Sequence, residues 1–169
     1  GLRYLLAAFS RLKWQWPNLR LLVVGPGKLD SESQRIISER NLQDIVLVGA
    51  VSDDDKARYY KTADIYCSPA TGGESFGIVL LEAMASGTAT VATAIEGYKG
   101  VITNEHNGLL VLPSDDKSLA DAIEVLLRDK KLRAKLIKNG RQRAEEFRWE
   151  HVARKVMKYY LAIEVKERQ

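Results

Sequence analysis

Residues 64–93 read DIYCSPATGGESFGIVLLEAMASGTATVAT, and this order of residue types predicts a strand, a helix and a second strand. The first apolar run is typical of a buried strand and stops at Pro69, which has no amide to donate to a sheet. After two glycines, an apolar helix extends to about Ser86 and ends at Gly87. Residues 88–93 form the second strand. Because two strands joined through a helix lie parallel, this stretch predicts one unit of a parallel sheet.

The rest of the chain repeats this alternation. Strands are predicted at 19–25, 44–51 and 108–112. Helices are predicted at 2–16, 30–41, 53–62, 115–128, 130–146 and 149–165, with a helical turn at 98–103. Continuous apolar strands that alternate with helices indicate the α/β class. We therefore expect one Rossmann-like domain over 1–169, a doubly wound parallel sheet covered by helices on both faces.

The order of the first elements is unusual for such a fold. A doubly wound unit ordinarily opens with a strand at the middle of its sheet, whereas residues 2–16 follow a helical pattern. We therefore expect this sequence to be a piece of a longer protein that lacks the first strand of the unit.

Composition excludes several classes of protein. No run approaches the roughly 20 apolar residues that a membrane-spanning helix needs, and the N-terminus does not resemble a signal peptide. The single cysteine, Cys67, is expected to be a small core residue in a reducing, cytoplasmic setting. The two histidines, His106 and His151, lie far apart and next to no cysteine, so we expect no zinc site. No cofactor is expected either.

The charge of the chain is unevenly distributed. The formal net charge is +4, yet residues 128–143 hold eight lysines and arginines against one aspartate. We favour a solvated helical face for this segment, with attraction to an anionic membrane surface as the alternative. Aromatic residues do not interleave with these cations, and we expect no nucleic-acid partner.

Glycine-rich loops follow the predicted strands, where ligands of open parallel sheets bind. The segment GPGKLD at 25–30 does not fit the G-x-G-x-x-G pattern of nicotinamide-binding proteins. The loop that precedes the apolar helix is more informative. Its glycines permit a tight bend, and the first helical turn would present free amides to a diphosphate, those of Phe76, Gly77, Ile78 and Val79.

Two glutamates lie eight residues apart around this turn. Carboxylates beside a diphosphate would repel it unless they face neutral hydroxyl groups, as sugars have. Glu74 and Glu82 would lie on roughly the same side of the helix, about 10 Å apart along its axis. The alternative is that Glu74 caps the helix and Glu82 pairs with a nearby lysine.

The segment GGESFGIVLLEAMASG (72–87) resembles the E-x7-E signature of the retaining family 4 glycosyltransferases, which have the two-domain GT-B fold. The resemblance is to their C-terminal, nucleotide-sugar-binding domain. VGAVSDDDKARYYKTADIYCSP (48–69) and EEFRWEHVARKVMKYY (145–160) are most similar to the phosphatidyl-myo-inositol mannosyltransferases within that family.

The resemblance implies a role for each matched residue. Glu74 would be catalytic and would hold the donor sugar, while Glu82 would bind the ribose. Residues 75–79 would meet the phosphates and the sugar through their backbone, and the nucleobase would lie against Val51, Asp53 and Lys56. The full donor-binding set is Gly25, Gly27, Val51, Asp53, Lys56, Gly73, Glu74, Ser75, Phe76, Gly77, Ile78, Val79 and Glu82.

The resemblance also implies a hexosyl transfer, most similar to mannosyl transfer from GDP-mannose to a lipid or glycan hydroxyl, without a bound metal. The acceptor site and the basic residues that neutralise the diphosphate would lie outside this chain, so the isolated chain is expected to be inactive. Residues 149–169 would form a helix that crosses toward the N-terminal domain, and the enzyme would work at the inner face of the cell membrane. A UDP-sugar-using transferase of the same family, a GT-B epimerase and a non-catalytic sugar-nucleotide-binding module remain alternatives.

Overall fold

Five strands and eight helices alternate along residues 1–167, the part of the chain that this computed structural model describes. The strands are β1 (Leu21–Val24), β2 (Ile45–Gly49), β3 (Ile65–Ser68), β4 (Ala89–Thr93) and β5 (Leu109–Val111). The helices are α1 (Leu2–Lys13), α2 (Ser31–Glu39), α3 (Asp53–Thr62), α4 (Ile78–Ser86), α5 (Glu96–Lys99), α6 (Asp116–Arg128), α7 (Lys130–Glu146) and α8 (Trp149–Glu167). The predicted α/β class and the order of elements are confirmed.

The strands are parallel but form two hydrogen-bonded sheets. One sheet holds β1 and β2, and the other has the order β3-β4-β5. The predicted parallel pairing is confirmed, and the parallel strands are divided between two sheets. In a common doubly wound order a first strand separates the second strand from the fourth. The described residues hold no strand before α1, so β1 and β3 have no strand between them.

Two apolar clusters hold the layers together. In the first, α1, α6 and the middle of the second sheet bury Leu5, Leu12, Val91, Leu109 and Leu126. In the second, α4 packs with β4, α5 and the loop after α5, burying Leu80, Met84, Ala92, Tyr98 and Ile102. Every residue of β4 is buried, because helices pack on both faces of this central strand, α1 and α6 against Val91 and α4 against Ala92. By contrast, Leu22, Val46 and Leu47 of the smaller sheet are 39%, 46% and 54% exposed.

Capping side chains fix where several helices begin. The Asp30 carboxylate accepts from the amide of Ser33 at 2.7 Å and starts α2. At α3 the cap is Ser52, whose hydroxyl accepts from the amide of Asp55 at 3.1 Å. The acidic residues that follow lie in the first helical turn, where their charge favours the positive end of the helix dipole.

The basic segment lies on α7 and the end of α6. Arg128, Arg133 and Arg143 pair with acidic side chains, whereas Lys131, Lys135 and Lys138 are exposed and make no ion pair to a described residue. A solvated face is what the structure shows here. Attraction to an anionic membrane stays a prediction.

Helix α8 leaves large apolar side chains exposed to solvent. Trp149 is 83% exposed, and Tyr160 and Met157 are 59% and 57% exposed. Side chains beyond residue 163 are outside the described part of the structure. Among residues 1–167, no helix is both long enough and apolar enough to cross a bilayer.

Candidate functional site

The candidate site lies at the carboxyl end of β3, in the segment 72–77 that we call the donor loop. Its residues are exposed as far as Phe76, whereas Gly77 is buried. Gly77 has φ 85° and ψ 49°, a left-handed conformation that glycine adopts without strain. Gly77 therefore turns the chain into α4, and the loop before it is open to a ligand.

Helix α4 begins at Ile78, two residues later than the sequence predicts. The amide of Leu80 donates to the Gly77 carbonyl at 3.0 Å. The amides of Ile78 and Val79 make no hydrogen bond within the described residues. These two are donors of the first turn, as predicted. The prediction that the amides of Phe76 and Gly77 belong to the same turn is wrong, because both precede the helix.

Glu74 lies in the donor loop with its side chain in solvent. Its carboxylate makes no hydrogen bond or ion pair to any described residue, and α4 has no side-chain cap. The alternative role of Glu74 as a helix cap is therefore wrong. Its backbone, by contrast, is tightly packed: a Cβ added to Gly97 would lie 2.3 Å from the Glu74 carbonyl oxygen. The loop holds this carboxylate out toward solvent.

Glu82 lies one turn into α4 and contacts α3. Its Oε1 is 2.8 Å from Lys56 Nζ, and the Tyr60 hydroxyl donates to its Oε2 at 3.2 Å. Lys56 also pairs with Asp53 at 3.0 Å. The pKa of Lys56 is raised, first by the hydrogen bond to Glu82 and then by the one to Asp53. The alternative that Glu82 pairs with a lysine thus holds, and the lysine is one of the predicted donor-binding residues.

A cavity of about 320 Å³ lies between α3 and α4. Its lining is Asp53, Lys56, Ala57, Tyr60, Glu82 and Ser86. Three of these belong to the predicted set, and the structure brings them together. Ala57, Tyr60 and Ser86 were not predicted. Tyr60 follows Lys56 by four residues on one helical face, a spacing that could have identified it.

The Tyr60 hydroxyl, which donates to Glu82, is also partly buried. Burial is the largest cause of the raised pKa of Tyr60, with smaller contributions from the neighbouring Tyr66 and from the Glu82 charge. The Tyr60 and Tyr66 rings pack edge to face, with centroids 5.1 Å apart. Tyr60 therefore stays protonated and serves Glu82 as a hydrogen-bond donor.

The remaining predicted residues follow β1 and β2. Gly25 and Gly27 have φ values of 147° and 119°, and space is open around both. The Gly25 amide donates to the Gly49 carbonyl at 2.9 Å, which joins the ends of these two strands. Val51 is half-buried just before α3. Pairing in a parallel sheet places these loops at one edge.

The described residues contain no group of three or more histidine, cysteine or acidic side chains that could hold a metal. The free amides of Ile78 and Val79 are groups that could meet a diphosphate. The site therefore combines free helical amides with two carboxylates, one exposed at Glu74 and one held by Lys56 and Tyr60 at Glu82. Such a combination suits a ligand that has both phosphates and hydroxyl groups.

Residues 1–143 match the family model described as glycosyl transferases group 1, and the chain belongs to this family. The fold, a C-terminal domain of the GT-B type, agrees with that membership. Over 160 residues the chain is 38% identical to the phosphatidyl-myo-inositol mannosyltransferase of Mycobacterium leprae. That alignment covers 95% of this chain but 42% of the relative, so the chain spans less than half of that protein.

Solved structures are similar to this chain over nearly its whole length. A sucrose-phosphate synthase from Thermosynechococcus elongatus superposes with a TM-score of 0.82 at 34% identity, covering 98% of this chain and 43% of the synthase. HepE from Anabaena in complex with UDP-glucose has a TM-score of 0.79 at 23% identity, covering 86% and 40%. The second likeness supports the fold alone.

Proposed function

We propose that this chain is the nucleotide-sugar-binding domain of a retaining glycosyltransferase that uses GDP-mannose. The observation that carries the proposal is the arrangement of α4. An exposed carboxylate at Glu74 precedes the free amides of Ile78 and Val79, and Glu82 follows them beside a cavity. This order suits a sugar, a diphosphate and a ribose bound in succession.

Each group has a defined task in this proposal. The Glu74 carboxylate accepts hydrogen bonds from the sugar hydroxyls and fixes the anomeric carbon for transfer. The amides of Ile78 and Val79 stabilise the negative charge that develops on the leaving diphosphate, aided by the helix dipole. Glu82 accepts from the ribose hydroxyls, and the nucleobase lies near Val51 and Asp53.

The identity of the donor rests on likeness to relatives. The similarity to the phosphatidyl-myo-inositol mannosyltransferases favours GDP-mannose and a lipid acceptor. A UDP-sugar is the second candidate, since HepE, which shares the fold, was solved with UDP-glucose.

The full transfer reaction needs more than this chain. The chain spans 42% of the M. leprae relative, and we propose that the acceptor site lies in the remaining part. The exposed apolar residues of α8 then face that part, among them Trp149 and Tyr160. We expect the chain 1–169 to bind donor weakly and to transfer no sugar by itself.

Titration of the ¹⁵N-labelled chain with GDP-mannose and with UDP-glucose tests the site. Amide shifts are expected at 74–82 and 51–56, larger with the preferred donor. Glu74→Gln and Glu82→Gln should reduce these shifts, whereas Glu39→Gln, on the exposed end of α2, should not. Absence of shifts at millimolar ligand would reject the site.

Activity assays of the full-length protein distinguish the alternatives. Full-length protein that binds but never transfers would indicate a non-catalytic module, and epimerisation of a UDP-sugar would indicate an epimerase.

A further inference from the structure

We infer that Tyr98 is a positioning residue, which fixes the donor loop so that Glu74 and the first amides of α4 keep their relative placement. The inference rests on the proposed function of this loop. Tyr98 lies in α5 and is not among the residues that the sequence assigned to donor binding, and its side chain is 2% exposed.

The Tyr98 hydroxyl is anchored to the end of β3. Its oxygen lies 2.6 Å from Ser68 Oγ, in a buried hydrogen bond for which either group can be the donor. Ser68 is the last residue of the strand and is 7% exposed. The bond therefore ties the ring to the rigid sheet at the point where the chain leaves it for the donor loop.

The Tyr98 ring occupies the space beside Gly77. A Cβ added to Gly77 would lie 2.7 Å from Cδ1 and 2.9 Å from Cε1 of the ring. Gly77 is therefore required twice, for its left-handed backbone and for its lack of a side chain. Contact with an anchored ring sets where the turn lies and hence where the amides of Ile78 and Val79 point.

The residue before Tyr98 contacts the other end of the loop. Gly97 approaches the Glu74 carbonyl so closely that a Cβ would lie 2.3 Å from its oxygen. Two consecutive residues of α5 thus hold the donor loop at Glu74 and at Gly77. The Glu74 charge also contributes to the raised pKa of Tyr98, after the larger effect of burial, which places this carboxylate within electrostatic reach of the hydroxyl.

Packing alone does not explain the hydroxyl pair. A phenylalanine would fill the same space, and replacing both partners of a buried hydrogen bond by apolar groups is often nearly neutral for stability. The pair instead sets the position of the ring relative to the strand. Because a displacement of about 1 Å in an active site can cost roughly 100-fold in rate, such an anchor acts on turnover more than on folding.

The test compares Tyr98→Phe, Ser68→Ala and the double variant in the full-length enzyme. We expect each single variant to lower kcat about 10-fold with the donor KM within about 2-fold. The double variant should lose no more than either single one, because both remove the same bond. Thr90→Val is the matched control, since it removes a buried hydroxyl of β4 that bonds to the Thr88 carbonyl, just before the strand and outside the donor loop. Its kcat should stay at the wild-type value.

Amide NMR of the ligand-free chain gives a second measurement that does not depend on activity. Tyr98→Phe should shift and broaden the resonances of Glu74 and Gly77, and Thr90→Val should leave them in place. If the wild-type enzyme transfers no sugar, the proposed function fails and the NMR result alone decides the positioning role. Unchanged resonances in Tyr98→Phe, or a kcat loss that Thr90→Val matches, would overturn the inference.

Discussion

The Glu82 carboxylate is held by two neighbours in the absence of any ligand. Lys56 balances its charge, and Tyr60 donates to its second oxygen. All three side chains are partly buried beside the cavity between α3 and α4. A carboxylate with both oxygens engaged still has lone pairs for ribose hydroxyls, and its orientation is set before the donor arrives.

Loss of this carboxylate should weaken donor binding. Glu82→Gln keeps the shape of the side chain but removes the charge, and hydrogen bonds to a charged group are worth about 1.5–3 kcal/mol. We expect the dissociation constant of the nucleotide sugar to rise by about 10-fold or more in calorimetric titration. Equal affinity in wild type and variant would remove Glu82 from the site.

The contact between Lys56 and Glu82 should also make the free energy of unfolding depend on pH in the alkaline range. The pKa of Lys56 is raised above its ordinary value of 10.5. A cation with a raised pKa contributes its stabilisation fully below the unfolded-state value and loses it as pH rises through the folded-state value. The stability difference between wild type and Glu82→Gln should therefore shrink as the pH rises above about 10.5 in urea titrations.

A second ion pair provides the control for that measurement. Glu124 pairs with Arg128 on α6 at 2.7 Å, and arginine keeps its charge over the whole range. Glu124→Gln should differ from wild type by a constant amount at every pH. A difference for Glu82→Gln that stays equally constant would contradict the assigned linkage.

At the scale of the element, α4 joins the site to the core. Its first turn has free amides, and its buried residues Leu80 and Met84 pack against β4 and α5. Left-handed glycines lie at both ends, Gly77 before the helix and Gly87 after it. The helix is therefore short, and its N-terminus remains accessible to a ligand while its apolar residues pack in the core.

Substitution of Gly77 should disrupt both fold and site. Alanine at its left-handed backbone costs about 1–2 kcal/mol, and the added Cβ would clash with Tyr98. Gly49→Ala is the matched control, because Gly49 has φ 81° with no atom within 4 Å of an added Cβ. We expect Gly77→Ala to lose more unfolding free energy than Gly49→Ala. Equal losses in urea titration would show that the Tyr98 ring can move away from the added Cβ without loss of stability.

Local patterns in the sequence predicted most elements of this domain. Strands such as 64–69 and 88–93 are continuous apolar runs, and helix ends coincide with Ser86 and Gly87. The start of α4 was placed too early because glycine φ angles depend on contacts such as that of Tyr98. Tyr98 itself had no local signal, since its partner Ser68 lies 30 residues away. Local sequence patterns do not show which distant segments come into contact, so this part of the site could not be predicted.

At the scale of the whole molecule, the domain consists of a well-buried half around β4 and a more exposed half around β1 and β2. The candidate site lies between them, because Glu82 belongs to the first and Lys56, in α3, follows β2. Helix α8 lies outside both apolar clusters of buried residues.

Removal of α8 should leave the rest of the domain folded. Its described side chains are mostly exposed, so the chain 1–148 should unfold within about 3 °C of the full chain in a calorimetric scan. Phe147, whose ring packs against Phe76 of the donor loop at 5.4 Å, is retained in that variant. A larger fall in Tm would mean that α8 contributes to the core.

The separation of β1 from β3 also determines how the backbone of this chain exchanges with water. The amides of β4 are paired or buried on all sides, whereas β1 and β3 each present one side that bonds to no described strand. Local opening is easiest where backbone groups lack partners. In heavy water the last protons to be replaced should therefore belong to β4. Those on the unpaired sides of β1 and β3 should be lost early, in contrast to the slow exchange usual for the central strands of a parallel sheet.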